Sequence, residues 1–259
     1  MRIHARVTAM ILLGLAVGAS GTVAAQTSQS LQWIEVSIWP EYDRPAALII
    51  VTAGLSEDSS LPATVSLPMP AGATPHAVAK GTPDGRLLMA DYTREERGAW
   101  THVRIATDLS EVRLEYYTDL SVVDSIRELI WVWPGGMDLG KLAYVVMQPS
   151  GATNLAIDPP PGAQRIGPDG LTYLSADLGP RSAAERVAIR LTYTKSTAEL
   201  TVAALQRTQA AAPQTPPVAT PAPTSTVPVP PKTSIWPFVL PVLVVGLIVL
   251  WTAVRRRRR

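Results

Sequence analysis

The chain has 259 residues, 47% of them hydrophobic and 17% charged, with 24 prolines, no cysteine and a formal net charge of +2. That apolar fraction excludes a wholly unfolded chain, and the missing cysteine excludes disulfides, Cys-based zinc sites, thiol catalysis, c-type haem attachment and lipidation of an N-terminal cysteine. All 21 acids lie between Glu35 and Glu199, so the stretch from Gln26 to Ser234 sets 16 basic residues against 21 acids, a balance of −5 that argues against nucleic acid as a partner.

Arg2 and Arg6 precede an apolar stretch from Val7 to about Val17, which gives way to small residues ending at Val23-Ala24-Ala25. Basic, apolar and small-residue zones in that order read as a secretory signal peptide over residues 1–25, cut after Ala25, with an uncleaved signal anchor as the rival reading.

From Leu31 to about Leu205 the apolar residues recur with period two. Ile34, Val36 and Ile38 alternate with Glu35 and Ser37; Val112, Leu114 and Tyr116 with Glu111, Arg113 and Glu115; Val187, Ile189, Leu191 and Tyr193 with Arg186, Arg190 and Thr192. Such alternation predicts half-buried strands with one wet face. Ala46–Thr52 and Leu142–Met147 are apolar throughout and suit central strands. Turn signals such as Pro83-Asp84-Gly85 and Pro168-Asp169-Gly170 separate the strands, and no run of ten residues carries an amphipathic helix pattern, although Ser125–Leu129 suits a turn. The expected fold is an all-β sandwich, jelly-roll or immunoglobulin-like.

A short internal repeat refines this expectation. Pro70-Ala71-Gly72-Ala73-Thr74 recurs as Pro149-Ser150-Gly151-Ala152-Thr153, a Pro-Asp-Gly turn follows each, Trp39-Pro40 is matched by Trp133-Pro134, and both halves close on Arg-Leu-x-Tyr, at Arg113 and at Arg190. The repeat predicts two related sandwich lobes, residues 31–119 and 124–205, against the alternative of one continuous sandwich that merely reuses turn chemistry.

Thr208 to Ser234 carries eight prolines among alanines, threonines and valines. This composition cannot bury enough surface to fold and favours an extended polyproline II stalk over residues 208–234, rising about 3.1 Å per residue. Ile235–Val254 follows as 20 uncharged residues, the length of a transmembrane helix, with Trp236 and Trp251 placed for the two membrane interfaces. Arg255, Arg256, Arg257, Arg258 and Arg259 then form a cytoplasmic tail at 255–259 that sets the topology, N-terminus outside and C-terminus inside. Pro231-Lys232-Thr233-Ser234 faintly matches a cell-wall sorting signal, which leaves sortase anchoring as a variant of the same plan.

Chemical motifs are few. Beyond the signal peptide there are two histidines, His76 and His102, without metal-ligand spacing, and no HExxH, GxSxG, GxGxxG or phosphate-binding loop. No catalytic residue, metal or cofactor is expected, and the enzyme class is disfavoured. Glu57-Asp58, Asp84 and Asp169 are too sparse for a dedicated calcium loop, and the Asp of a Pro-Asp-Gly turn is explained by the turn itself. Aromatics carry the one functional hint: the outer part holds five tryptophans and seven tyrosines and no phenylalanine. Trp131 and Trp133 share a strand face, where amphipathic rings serve a glycan or a protein partner unless they fill the core, the favoured alternative. Tyr42 and Arg44, in the Trp39–Pro45 connection between two strong strands, are candidates for an interaction loop if that connection is more than a hairpin.

The stretches Trp39–Pro45, Leu61–Val65 and Arg113–Tyr117, within this plan of leader, β-module, stalk and anchor, resemble a group of uncharacterised bacterial membrane-anchored envelope proteins. The resemblance implies an envelope location and no assigned activity. The expected protein is therefore a single-pass membrane protein with a periplasmic or cell-surface domain and a binding, scaffold or accessory role. Its expected partners are the lipid bilayer and an envelope protein or glycan; the alternatives are a glycan-binding or carbohydrate-active module and an accessory subunit of a membrane complex.

Overall fold

In the computed structural model, residues 31–211 are described. The expected signal peptide, the membrane span with Trp236 and Trp251, the arginine tail and most of the Pro-rich stalk lie outside them. Among the described residues no helix is long and apolar enough to cross a membrane.

The period-two alternation is realised as an all-β, sandwich-like structure of fifteen strands followed by one helix. The first half of the chain supplies β1 (Leu31–Pro40), β2 (Ala47–Leu55), β3 (Ala63–Pro70), β4 (Pro75–Gly81), β5 (Leu87–Met89), β6 (Tyr92–Arg97), β7 (Trp100–Thr107) and β8 (Glu111–Thr118). The second supplies β9 (Ser121–Val123), β10 (Ile126–Trp133), β11 (Leu139–Met147), β12 (Thr153–Asp158), β13 (Ala163–Ile166), β14 (Thr172–Arg181) and β15 (Val187–Thr194), and α1 (Thr201–Ala211) closes the described chain. Ser125–Leu129, which suited a turn, mostly runs into β10 instead.

An eight-stranded sheet, ordered β13-β14-β11-β1-β2-β8-β4-β5, takes strands from both halves. A four-stranded sheet, β12-β15-β10-β9, and a three-stranded sheet, β3-β7-β6, complete the fold. The pairings repeat between the halves. In the first, β8 lies between β2 and β4 while β3 pairs with β7; in the second, β15 lies between β10 and β12 while β11 pairs with β14. The two Pro-x-Gly-Ala-Thr turns thus occupy equivalent β3–β4 and β11–β12 connections, and the two Arg-Leu-x-Tyr strands are the equivalent β8 and β15. The Trp-Pro pairs are not equivalent: Trp133 ends β10, whose counterpart is β2, whereas Trp39 is the penultimate residue of β1. Strand β1 has only a short counterpart, β9, which pairs antiparallel with β10, and β1 alone reaches across to the other half. It pairs antiparallel with β2 and parallel with β11 and so joins the halves into one sheet.

Parity on the strands of the large sheet divides its two faces. Ile34, Val36 and Ile38 of β1, Ile49 and Val51 of β2, Leu114 and Tyr116 of β8, and Tyr144 and Val146 of β11 point inward. They join one hydrophobic core with Val65, Leu67 and Met69 of β3, Trp131 and Trp133 of β10, and Ile189, Leu191 and Tyr193 of β15. The opposite face carries Trp33, Glu35, Ser37 and Trp39, all half-buried.

Helix α1 was not anticipated. Its sequence, TVAALQRTQAA, lacks an apolar stripe but is built largely of good helix formers. It also takes in Thr208–Ala211, which the sequence assigned to the stalk. The Thr201 and Val202 N–H groups donate to the Glu41 and Tyr42 carbonyls, each at 2.9 Å, and the Thr201 hydroxyl accepts from the Ser150 N–H. These bonds dock the helix start onto the β1–β2 connection.

Candidate binding cleft

The outer face of the eight-stranded sheet forms a cleft of about 400 Å³. Pairing register dictates its floor. One row runs Arg113, Thr52, Glu35, Ala143, Asp177 across β8, β2, β1, β11 and β14, and the next runs Glu115, Ile50, Ser37, Val145, Ser175. The centre therefore sets Glu35 and Ser37 among Thr52, Ile50, Ala143 and Val145, with aromatic rings toward both ends. At one end the Trp33 indole lies over Gly54, its partner across the β1–β2 ladder, where any added side chain would collide with the ring. At the other, Trp39 and Tyr42 meet edge to face, ring centres 5.1 Å apart at 62°, above a small cluster of Met147, Leu171 and Tyr173 into which Leu205 of α1 also packs.

The charges around the cleft are largely paired within the module. Arg113 Nε lies 2.8 Å from Glu115 and Lys141 Nζ lies 3.7 Å from Asp177. The Arg165 guanidinium stands 4.6 Å above the Tyr173 ring, and the Tyr173 hydroxyl donates to Asp169 Oδ2 at 2.6 Å. Burial, with Asp169 adding to it, pushes the Tyr173 hydroxyl pKa upward, and burial does the same to Tyr42. The Glu111 carboxyl is raised by its burial, against the pull of Arg113.

Of the residues singled out from sequence, Tyr42 belongs to this cleft. Arg44 does not. It lines a second cavity of about 500 Å³ beside the Pro70–Pro75 turn, where its guanidinium sits 3.6 Å above the Tyr117 ring. There the Tyr117 hydroxyl donates to Asp43 Oδ2 at 2.9 Å, the His76 and Tyr117 rings meet edge to face with centres 5.1 Å apart, and burial with that hydrogen bond pushes Tyr117 up to about 12.

Trp131 and Trp133 are corrected as surface candidates: they are 5% and 1% exposed, inside the core between the sheets. Trp131 Nε1 donates to the buried Tyr116 hydroxyl at 3.0 Å, which supplies the hydrogen bond an indole needs when it leaves water. No ring of this pair is available to a glycan or a partner.

Beneath the Trp39 end lies a buried charge cluster that the sequence reading did not find. Glu41 opens the β1–β2 connection at φ +45° with its side chain almost fully covered. Its carboxylate accepts the Tyr193 hydroxyl at 2.7 Å and lies 3.4 Å from Lys195 Nζ and 3.7 Å from Arg127 Nε. Lys195 also donates to the Glu199 carbonyl at 2.6 Å, and Arg127 to the Asp124 carbonyl at 3.0 Å. The cluster ties β1, β10, β15 and the approach to α1 together and fixes the loop that carries Tyr42. Among the described residues there is no group of three or more His, Asp or Glu side chains placed to hold a metal ion.

No protein-family model matches the chain, and no curated protein does. Among solved structures it is similar to a protein of Parabacteroides distasonis provisionally assigned as a protease, at 10% identity and a TM-score of 0.38, over 64% of this chain and 40% of that one. It is also similar to a mutant M1 zinc metallopeptidase of Deinococcus radiodurans bound to a Tyr-Ser-Ala substrate, at 14% identity and a TM-score of 0.43, over 65% and 43%. The chain spans less than half the length of either protein.

Proposed function

We propose that the chain is a single-pass envelope protein whose β-module, two related sandwich lobes of jelly-roll or immunoglobulin type, presents a recognition cleft outside the cytoplasmic membrane. The leader at 1–25 directs export, Ile235–Val254 anchors the chain, and Arg255–Arg259 stay in the cytoplasm. The role is binding, scaffolding or service as an accessory subunit.

One observation carries this reading: the inner face of the large sheet is sealed by a continuous core, while its outer face keeps half-buried indoles at both ends of a floor where small and apolar side chains alternate with charged ones. A few hundred cubic ångströms is the usual size of a ligand site, and here aromatic and apolar residues line it together with charged ones such as Glu35, Arg113 and Asp177. Trp33 and Trp39 stand six residues apart on one strand, about 20 Å, which suits an elongated ligand. The edge-on meeting of Trp39 and Tyr42 offers no flat stacking platform, so an extended polypeptide is favoured over a sugar ring.

The test is a photo-crosslinking amino acid at position 37, in the cleft, compared with position 94, exposed on β6, in intact cells. Adducts to a second molecule at 37 and not at 94 are expected; equal yields would end the reading of the cleft. A cysteine in place of the exposed Asp84 should react with a membrane-impermeant thiol reagent added outside, and failure to react except after lysis would end the envelope placement.

A further inference from the structure

Strand register sets out the Trp33 end of the cleft. One row crosses five strands as Leu87, Gly81, Glu111, Gly54 and Trp33, on β5, β4, β8, β2 and β1. The two glycines leave gaps that their neighbours fill. The Trp33 indole leans over Gly54, and the Glu111 carboxyl leans over Gly81, its Oε1 2.6 Å from where a Cβ would stand. The carboxyl thus stands between the Leu87 side chain and the indole, and all three line the cleft.

Charge at this end is not balanced within the module. Glu35, Glu111 and Glu115 share the outer face around one guanidinium, that of Arg113, whose Nε lies 2.8 Å from Glu115. Lys141, on β11, is 3.7 Å from Asp177, and at the far end Arg165 and Asp169 offset one another around the Tyr173 ring. Glu111 makes neither a side-chain hydrogen bond nor an ion pair among the described residues. Burial raises its carboxyl, Arg113 opposes the rise and Glu35 adds to it. A partly buried carboxylate without a counter-ion is costly, and a cation brought by a ligand relieves that cost. Among the described residues no group of three or more His, Asp or Glu side chains is placed to hold a metal ion, which leaves the excess to an organic cation. Lysine and arginine carry their charge on an apolar stem. Such a stem suits the walls given by Leu87 and Trp33, and an indole face attracts a cation within about 6 Å.

We propose that the Trp33 end of the cleft is a subsite for a basic side chain: the cleft selects an extended polypeptide with a lysine or arginine whose stem lies between Leu87 and the Trp33 indole and whose charge meets the Glu111 carboxylate. This rests on the reading of the cleft as a polypeptide-recognition surface and names the residue class it reads.

The test offers the full-length protein in nanodiscs a phage-displayed library of random hexapeptides, six extended residues spanning about 20 Å, and sequences the peptides retained above empty nanodiscs. Lysine or arginine is expected at one position at least tenfold more often than methionine or glutamate. Glu111→Gln should abolish that preference and leave the other preferred positions in place. Glu111→Lys should transfer it to aspartate and glutamate, a reversal that a folding defect cannot produce. Glu96→Gln, the same change of charge at an exposed position of β6, should leave the preference intact. A preference that is absent, that survives Glu111→Gln or that is lost equally with Glu96→Gln would overturn the subsite. If the retained peptides nonetheless fail to bind the Trp39→Ala protein, the subsite falls and the recognition cleft stands. Retention of no peptide above empty nanodiscs would overturn the subsite and the polypeptide reading together.

Discussion

Trp39 and Trp133 each stand at or next to the end of a strand and each precede a proline, yet one is half-buried at the end of a cleft and the other is 1% exposed in the core. The difference lies in what covers each face. Trp133 belongs to the four-stranded sheet and points at the large sheet across the interior, whereas Trp39 belongs to the large sheet and points away from both smaller ones. An aromatic ring is thus a packing unit or a recognition unit according to the layer beside it, and the strand sequence alone gives only its parity.

The comparison makes predictions of graded size. Trp133→Ala should cost about 3–5 kcal/mol, the usual range for emptying a large aromatic site in a core, read as a lower urea midpoint of the full chain in detergent. A loss below about 1 kcal/mol would mean that the Trp133 side of the module is not closed. Glu41→Ala should cost a comparable amount, about 3–5 kcal/mol, because Lys195 and Arg127 would be left as buried cations without their shared anion; it should also loosen Tyr42 and the α1 docking, seen as faster amide exchange at Thr201 and Val202. Little change in either readout would remove the charge cluster from the account of how the Trp39 end is held.

Alkaline pH offers a third route. The hydroxyls of Tyr144, on the sealed face, and Tyr117, on the open one, are both raised by burial, each to about 12, above the ordinary value near 10. The folded state therefore keeps protons that the unfolded state gives up. Their contribution is complete below about pH 10 and is lost as pH rises through the folded values. The urea midpoint should fall above pH 10, and Tyr117→Phe with Tyr144→Phe should flatten that fall; an unaltered slope would contradict the assignment. A smaller effect is expected of Tyr116→Phe, which deprives the buried Trp131 N–H of its acceptor and should cost about 1–2 kcal/mol.

Much of the fold was legible. Alternation at Ile34–Ile38, Val112–Tyr116 and Val187–Tyr193 located strands and named the residues that point inward, because a half-buried sheet must repeat with period two. Long-range pairing was not legible. Nothing local in Leu31–Pro40 indicates that it lies parallel to Leu139–Met147, more than a hundred residues away, and that pairing creates the wide sheet and its cleft. Helix α1 escaped because one leucine, Leu205, supplies its anchoring contact in place of an apolar stripe. The charge cluster left a trace that parity could have exposed: Arg127 continues the inward series of Leu129, Trp131 and Trp133, and Lys195 continues that of Leu191 and Tyr193. Two cations at inward positions call for a buried anion, and Glu41 is that anion. Of the candidate site, Tyr42 was found; Trp33, Trp39 and Tyr173 were present as aromatic counts without an address.

The most direct measurement of the central claim is the crosslinking yield from position 37 in a Trp39→Ala background, taken beside the urea midpoint of the same protein. The outer face as a recognition cleft predicts that the midpoint falls clearly less than with Trp133→Ala, because the Trp39 ring keeps part of its surface in water, while the crosslinks fall at least tenfold. A midpoint lowered as far as by Trp133→Ala with crosslinks intact would contradict it, since Trp39 would then be one more core residue and the cleft only a surface.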